Sequence, residues 1–350
     1  MSVSKKKIKH CLVLSSRQFG DAILIKNFID FILQKNKNLL IYVYGRPEHR
    51  EIYADKNIIF NDCFFPIDFS RSKFYFNELI ILIKKLFEIR RKNFDFCFSF
   101  FGDFREDTIL NYSNSKKLFF IKWKKEHPYR NLVRPFIFNF NKPIYFTPDK
   151  VGVIDIFYSF AKFFTKNTKL ITPYKQYLVF NKSSLIKKTI AIFPISPLRS
   201  KNWPIIKWIL LINKLITHIE GIQINIYVSK KDGLLFNSYF LHFKNIKVHS
   251  LSLIDLFDHV KVNNFSFCLD SFGLHLSNYL GIKNICINGA NNHKLLANKN
   301  SKIIYNGGNC DYYPCYIKSR PKCLNTKFEY ACIDGISVDQ VFNLALRQIL

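Results

Sequence analysis

Residues Leu269 to Gly281 read L-D-S-F-G-L-H-L-S-N-Y-L-G, and this stretch decides the fold. An apolar run, Phe265 to Leu269, stops abruptly at Asp-Ser-x-Gly. A helical pattern then begins, with Leu274, Leu276, Tyr279 and Leu280 as its apolar side. The order predicts a strand, a tight turn and a helix N-terminus. Backbone N–H groups at such a turn point outward at the positive end of a helix dipole, which suits a phosphate or pyrophosphate. Asp270 and His275 bring an acid and a base to the same turn. Two readings stand side by side: an ordinary helix capped by Asp270 or Ser271, and an anion-binding site.

Outward from this turn the chain keeps alternating strand and helix. In the second half, strands are expected at Thr189 to Phe193, Gln223 to Val228 and Asn284 to Asn288. Helices are expected at Pro204 to Thr217, Leu253 to Val260 and Ser337 to Leu350, the last with Ser337 as N-cap. In the first half, strand-like runs at His10 to Ser15, Leu39 to Tyr44 and Phe94 to Phe100 alternate with helical patterns through Leu33 and from Glu78 to Arg90. Such alternation predicts parallel sheets covered by helices. We place the boundary between two α/β domains within Thr165 to Lys187, giving domains 1–172 and 173–350.

The chain has 350 residues, enough for two domains with substantial cores. Hydrophobic residues make up 48 %, too many for a disordered chain. No apolar run reaches the length of a membrane-spanning helix. Arg17, Gln18 and Asp21 interrupt the first apolar stretch, so it is not read as a signal peptide. The expectation is a cytoplasmic chain, soluble or peripheral on a membrane. The formal charge is +28, from 53 basic and 25 acidic residues. That attracts nucleic acid, anionic lipid or phosphorylated substrates. The lysines are spread along the chain, however, and accompany many Asn, Ile and Phe residues, as in the product of an AT-rich gene. A basic aromatic stretch from Leu118 to Tyr145 reads either as part of the first domain or as a patch that meets anionic lipid.

Five of the nine cysteines, Cys11, Cys63, Cys97, Cys268 and Cys286, lie singly in apolar runs and read as small core residues. Cys310, Cys315, Cys323 and Cys332 gather near the C-terminus with spacing irregular for a zinc site. Free thiols or a redox-sensitive pair fit that spacing better than a structural metal.

Ligands of open α/β sheets sit beyond the C-terminal ends of strands, and three such ends carry chemistry. Ser15 to Asp21 reads S-S-R-Q-F-G-D; Asp21 serves either the helix dipole or general-base catalysis. Pro194 to Pro204 reads P-I-S-P-L-R-S-K-N-W-P; it is either a basic surface loop or a cradle whose hydroxyls and cations suit a diphosphate. The third is the Asp270 turn. No G-x-G-x-x-G, Walker, H-E-x-x-H or G-x-S-x-G motif is present, which argues against a nicotinamide enzyme and a P-loop ATPase.

Taken in order, four elements resemble glycosyltransferase family 9, the ADP-heptose:lipopolysaccharide heptosyltransferases. They are L-V-L-S-S-R-Q-F-G-D-A-I-L, F-D-F-C-F-S-F-F-G-D-F-R with N-S-K-K-L-F-F, I-F-P-I-S-P-L-R-S-K-N-W-P, and D-S-F-G-L-H-L-S-N-Y-L-G-I-K. The resemblance runs from about residue 10 to the C-terminus. It implies a GT-B architecture: two Rossmann-like domains with parallel sheets facing a central cleft, the first binding acceptor and the second the sugar nucleotide. It implies inverting transfer of a heptose from ADP-heptose to a Kdo or heptose hydroxyl of a lipid-linked acceptor, without a metal or other cofactor. By the resemblance Asp21 is the catalytic base and Ser196 and Lys201 hold the diphosphate. Asp270 contacts the donor sugar, the backbone of Ser271, Phe272 and Gly273 takes phosphate oxygens, and His275 supports the turn or the phosphate. The implied partners are the sugar nucleotide, the lipid-linked acceptor and the anionic inner-membrane surface, with no specific nucleic acid.

Two departures stand out. The family often reads D-T-G-P-M-H where this chain has D-S-F-G-L-H. It often has Gly-Pro-Thr where this chain has Gly289-Ala290-Asn291-Asn292. Both bear on donor identity. A donor other than ADP-heptose, a binding module without turnover, and a basic nucleic-acid binder remain alternatives.

Overall fold

The computed structural model describes residues 7–15, 17–62, 76–101, 104–123, 144–149, 152–166, 188–315 and 322–349. Two compact units result. One comprises Met1–Lys150 with Asp155–Ile171, the other Val151–Ile154 with Thr172–Leu350. The expected domain boundary falls among residues 167–187, outside the described residues.

In the first unit the order is β1 (Lys9–Ser15), α1 (Phe19–Lys35), β2 (Leu39–Gly45), a 3-10 turn at Pro47–Tyr53, β3 (Ile58–Asp62), α2 (Phe76–Arg91), β4 (Phe96–Ser99), α3 (Phe104–Tyr112), β5 (Lys117–Ile121), β6 (Ile144–Phe146) and α4 (Val153–Thr165). The strands form one parallel sheet in the order β3-β2-β1-β4-β5-β6.

In the second unit β7 (Thr189–Phe193) leads to a 3-10 turn at Arg199–Lys201 and α5 (Ile205–His218). Then follow β8 (Gln223–Tyr227), α6 (Lys230–Phe240), β9 (Ile246–His249), α7 (Leu253–Val260), β10 (Phe265–Leu269) and α8 (Phe272–Tyr279). The unit ends with β11 (Lys283–Asn288), α9 (His293–Leu296), β12 (Ser301–Tyr305), α10 (Ala331–Asp334) and α11 (Val338–Ile349). Its parallel sheet is ordered β12-β11-β10-β7-β8-β9. Read from its own first strand, this is the order of the first sheet again, the doubly wound arrangement of Rossmann-like folds.

Central strands buried on both faces read as unbroken apolar runs, and all five residues of β10 are buried. Helices obey the other period. In α5, Trp208, Leu211, Ile212 and Leu215 are the buried residues, at i, i+3, i+4 and i+7. They meet Ile190, Ile224, Phe267 and Ile285 of the sheet in one core. The first unit is packed with phenylalanine instead: Phe28 lies 5.0 Å from Phe98 and from Phe100, and 5.3 Å from Phe160, ring centre to ring centre.

Caps set the helix ends. Ser337 Oγ accepts the Gln340 N–H at 3.1 Å while Gln340 Oε1 accepts the Ser337 N–H at 2.9 Å, a reciprocal capping box at the start of α11. Pro204, expected inside the first turn of α5, occupies its N-cap position. Of the basic aromatic stretch, 118–121 belong to β5 and Trp123 donates its indole N–H to the Phe100 carbonyl at 2.8 Å. Residues 124–143 lie outside the described residues. No helix among the described residues is long and apolar enough to cross a membrane.

Candidate functional site

In a doubly wound sheet the crevice for a ligand opens where the strand order reverses. In the second unit that point lies between β7 and β10, so the loop after β7 and the turn after β10 meet there.

Each is held in place by named bonds. Asn202 clamps the β7 loop: its Nδ2 donates to the Ser196 carbonyl and its Oδ1 accepts the Ser196 N–H, both at 2.6 Å. Trp203 is buried, and its indole N–H donates to the Ile336 carbonyl at 3.0 Å. Arg199 pairs with Asp334 at 2.7 Å and lies 4.5 Å from the Tyr330 ring centre. Gly289, at the end of β11, allows the Arg199–Lys201 turn to close in: a Cβ there would stand 2.2 Å from the Ser200 carbonyl oxygen. Gly273 does the same for α8, since its Cβ would stand 2.3 Å from Phe193. Glycine is therefore required at both positions by close approach.

The consequence is a charged centre. Lys201 Nζ lies 2.7 Å from Asp270 Oδ2, with side-chain exposures of 20 % and 4 %. Asn291 Nδ2 donates to the same carboxylate oxygen at 3.1 Å. An ammonium has three donors, so Lys201 can hold Asp270 and still reach a second anion. Ser271 occupies the N-cap position of α8, but its side chain makes no capping bond, and Asp270 is engaged by Lys201 and Asn291. The simple capping reading of this turn therefore lacks its defining hydrogen bond. The first turn of any helix presents N–H groups without intrahelical acceptors. Here it does so beside a lysine.

His275 sits one turn into α8. Its Nδ1 is buried without a hydrogen-bond partner. Burial pushes its pKa down to about 4; the nearby Asp270 opposes the shift and Lys201 adds to it. The imidazole is thus neutral at pH 7 and can take or offer a hydrogen bond without bringing charge. Ser196, Lys201, Asp270, Ser271, Phe272, Gly273 and His275 all border one switch point. Asn202, Asn291 and Gly289 complete the setting. Of these, Asn202 carried no signal that sequence reasoning could use, because its partner is a backbone amide.

Asp21 belongs to the other unit. It is the third residue of α1, half-buried, after an N-cap Gln18 whose side chain makes no capping bond. The switch point of that sheet lies between β1 and β4, and Asp21 follows β1. Around it the loop is firmly braced. Tyr53 donates its hydroxyl to Ser15 Oγ at 2.8 Å, and His49 Nδ1 lies 3.0 Å from the Ser15 carbonyl. Arg17 stacks 4.5 Å from the Phe101 ring centre and stands 3.9 Å from Glu106. Burial, followed by the charges of Asp21 and Asp30, raises the Tyr53 hydroxyl far above its ordinary value.

The four C-terminal cysteines do converge. Burial comes first in pushing the Cys332 thiol up to about 12, with Cys315, Cys310 and Cys323 adding to it. All four are free thiols. Among the described residues no group of three His, Cys, Asp or Glu side chains is placed to hold a metal ion.

No protein-family model matches the chain, and no curated protein matches it by sequence. Its fold does match solved structures. E. coli heptosyltransferase WaaC, solved with ADP-2-deoxy-2-fluoro heptose, superposes with a TM-score of 0.69 at 12 % identity, covering 97 % of this chain and 99 % of that one. E. coli ADP-heptose lps heptosyltransferase II gives 0.64 at 12 % identity, over 97 % and 98 %. A glycosyltransferase family 9 protein from Veillonella parvula gives 0.66 at 14 % identity, over 98 % and 97 %. The chain therefore has the two-unit α/β fold of these proteins, the GT-B class, along nearly its whole length.

Proposed function

We propose that this chain is an inverting glycosyltransferase of family 9 that moves a heptose from ADP-heptose to a Kdo or heptose hydroxyl of a lipopolysaccharide core acceptor. The observation that carries the reading is the Lys201–Asp270 pair at the start of α8, at a sheet switch point. In this reading residues 173–350 bind the sugar nucleotide and residues 1–172 the acceptor. The diphosphate sits on the α8 N-terminus and the Ser196–Lys201 loop. Asp270 orients the donor sugar, and His275 supports the turn as a neutral imidazole. Asp21 accepts the proton of the acceptor hydroxyl as its oxygen bonds to the anomeric carbon. The anomeric carbon–oxygen bond breaks, and ADP leaves with the electron pair. Lys201 and the helix dipole stabilise the departing charge, so no metal is required. One displacement inverts the anomeric configuration. The lipid-linked acceptor would bring the protein to the anionic cytoplasmic face of a membrane, and the excess of lysine suits that surface.

A second reading keeps the reaction and changes the donor. Asn291, which donates to Asp270, stands in a loop that reads Gly-Ala-Asn-Asn where the family often has Gly-Pro-Thr. A different residue on the sugar-facing carboxylate favours a different sugar.

Calorimetry with ADP, UDP, GDP and their sugar conjugates in EDTA tests both. Selective binding of ADP or ADP-heptose, followed by transfer to a core acceptor, is the expected result. Preference for UDP or GDP selects the second reading. Binding of none, with tight salt-sensitive binding to nucleic acid, overturns both.

A further inference from the structure

Helix α6 is apolar on two opposite sides. Phe236 and Phe240 face inward and join the core of the second unit. Leu234 and Leu241 face outward, exposed to 79 % and 75 %, more than any other large hydrophobic side chain among the described residues. Leu241 is the C-cap residue and keeps right-handed helical angles. Positions seven apart on a helix differ by only about 20° around its axis. The two leucines therefore stand on one side of the helix about 10 Å apart, with the exposed Asn237 and Ser238 between them, and this line forms a ridge. Leu235 and Tyr239 are also exposed but lie further round the helix, towards the side that joins the core.

Charge selects what could cover this ridge. Lys230 and Lys231 stand at its start and Lys244 just beyond its end, all exposed. Residues 230–247 hold four lysines and one acid, Asp232, and Asp232 is engaged by Ser229 Oγ at 2.6 Å at the helix start. A second copy of the chain would set lysines against lysines. A bilayer with anionic headgroups satisfies both features: leucines enter the acyl boundary while the lysine stems reach up to phosphate.

We infer that α6 is the membrane-docking element of the protein, inserting Leu234 and Leu241 into an anionic lipid surface. This rests on the membrane half of the function proposed above and is independent of the donor sugar.

Co-sedimentation of the full chain with phosphatidylcholine vesicles, with and without phosphatidylglycerol, tests it. The wild type is expected on the anionic vesicles, with binding that falls as salt rises. The double variant L234S/L241S should bind them at least about tenfold more weakly, since two exposed leucines lose their apolar transfer. Its melting temperature should stay that of the wild type. K230E/K231E should weaken binding by a similar factor at low salt. Tryptophan at position 241, in L241W, should shift its emission to the blue with anionic vesicles only. If wild type binds neither vesicle, both the inference and the membrane half of the function fall, while nucleotide calorimetry still judges the transferase. If L234S/L241S binds like wild type, α6 is not the docking element and only this inference falls. If the same variant instead converts a lipid-free dimer to a monomer in light scattering, the ridge is a self-interface and the inference is overturned.

Discussion

The two sheets carry their strands in the same order, yet the turns at their switch points are furnished differently. After β7 and β10 the side chains make a cationic, glycine-hugged turn: Lys201 on Asp270, with Gly289 and Gly273 admitting close backbone contact. After β1 the turn is braced by hydroxyls and rings, with Ser15, His49 and Tyr53 bonded together and a half-buried carboxylate, Asp21, beside them. In the function proposed above, the first of these turns holds an anion and the second accepts a proton. The order of strands fixes where chemistry can occur; the few residues after each strand fix which chemistry.

The sharpest way to break this division is Asp21→Asn. The change keeps shape and removes basicity. Turnover should fall by about 10²–10⁴-fold, the usual worth of a positioned base, with nucleotide affinity by calorimetry unchanged. Wild-type turnover would strip the first switch point of its assigned chemistry.

Next comes Lys201→Met. It removes a charge-assisted donor from the anion site, so affinity for the nucleoside diphosphate should drop by about ten- to a hundredfold. It also leaves Asp270 buried with Asn291 alone, at a cost to stability of about 3 kcal/mol. The double variant K201M/D270N should recover the melting temperature but not the affinity. Recovery of both would make the pair structural only.

Two histidines extend the comparison to pH. Burial lowers the pKa of both, but Nδ1 of His49 meets Ser15 whereas Nδ1 of His275 has no partner. A folded pKa of about 4 against about 6.5 in the unfolded chain means that the unfolded state binds the extra proton between those values. Stability from this group is therefore complete above about pH 6.5 and is lost as pH falls towards 4, by on the order of 3 kcal/mol. Denaturant melts across that window should flatten in His275→Asn. An unchanged slope would place the acid sensitivity elsewhere.

These contacts explain what the sequence could and could not disclose. Seven of the twelve strands are legible because strands buried on both faces write themselves as apolar runs, and β10 and α7 match their expected end residues; β3, β5, β6, β9 and β12 carry no strand expectation in the sequence. The loops are legible as loops, and at the Asp270 turn the sequence leaves two readings, cap or site. Which alternative holds depends on Lys201 reaching a carboxylate 69 positions away and on Asn291 joining it. No local period encodes such pairings. The Asn202 clamp was equally silent, because backbone amides accept bonds from any suitable side chain. The outward leucines of α6 mislead a periodicity argument, since a helix apolar on two sides shows no clean amphipathic stripe.

The smallest effect lies at the helix stops, where the two units again solve one problem differently. Helix α8 ends with Gly281 at φ +76°, and the N–H groups of Gly281 and Ile282 return to Asn278 and Ser277 at 3.1 and 2.8 Å, a Schellman motif. The first unit stops α2 and α3 with Asn93 at φ +48° and Asn114 at φ +55°, joined by a side-chain bond of 3.2 Å. Asparagine tolerates the left-handed region, and an alanine there costs about 1 kcal/mol. Gly281→Ala should therefore destabilise by about 1 kcal/mol, and Asn93→Ala by about as much plus its lost hydrogen bond. Asn114→Gly should move stability by only a few tenths, since glycine relieves the angle while forfeiting the bond to Asn93. Urea titrations of the three variants check the ranking. If Asn114→Gly proved as costly as Gly281→Ala, the bond between Asn114 and Asn93, rather than the backbone angle, would be what ends the helices of the first unit.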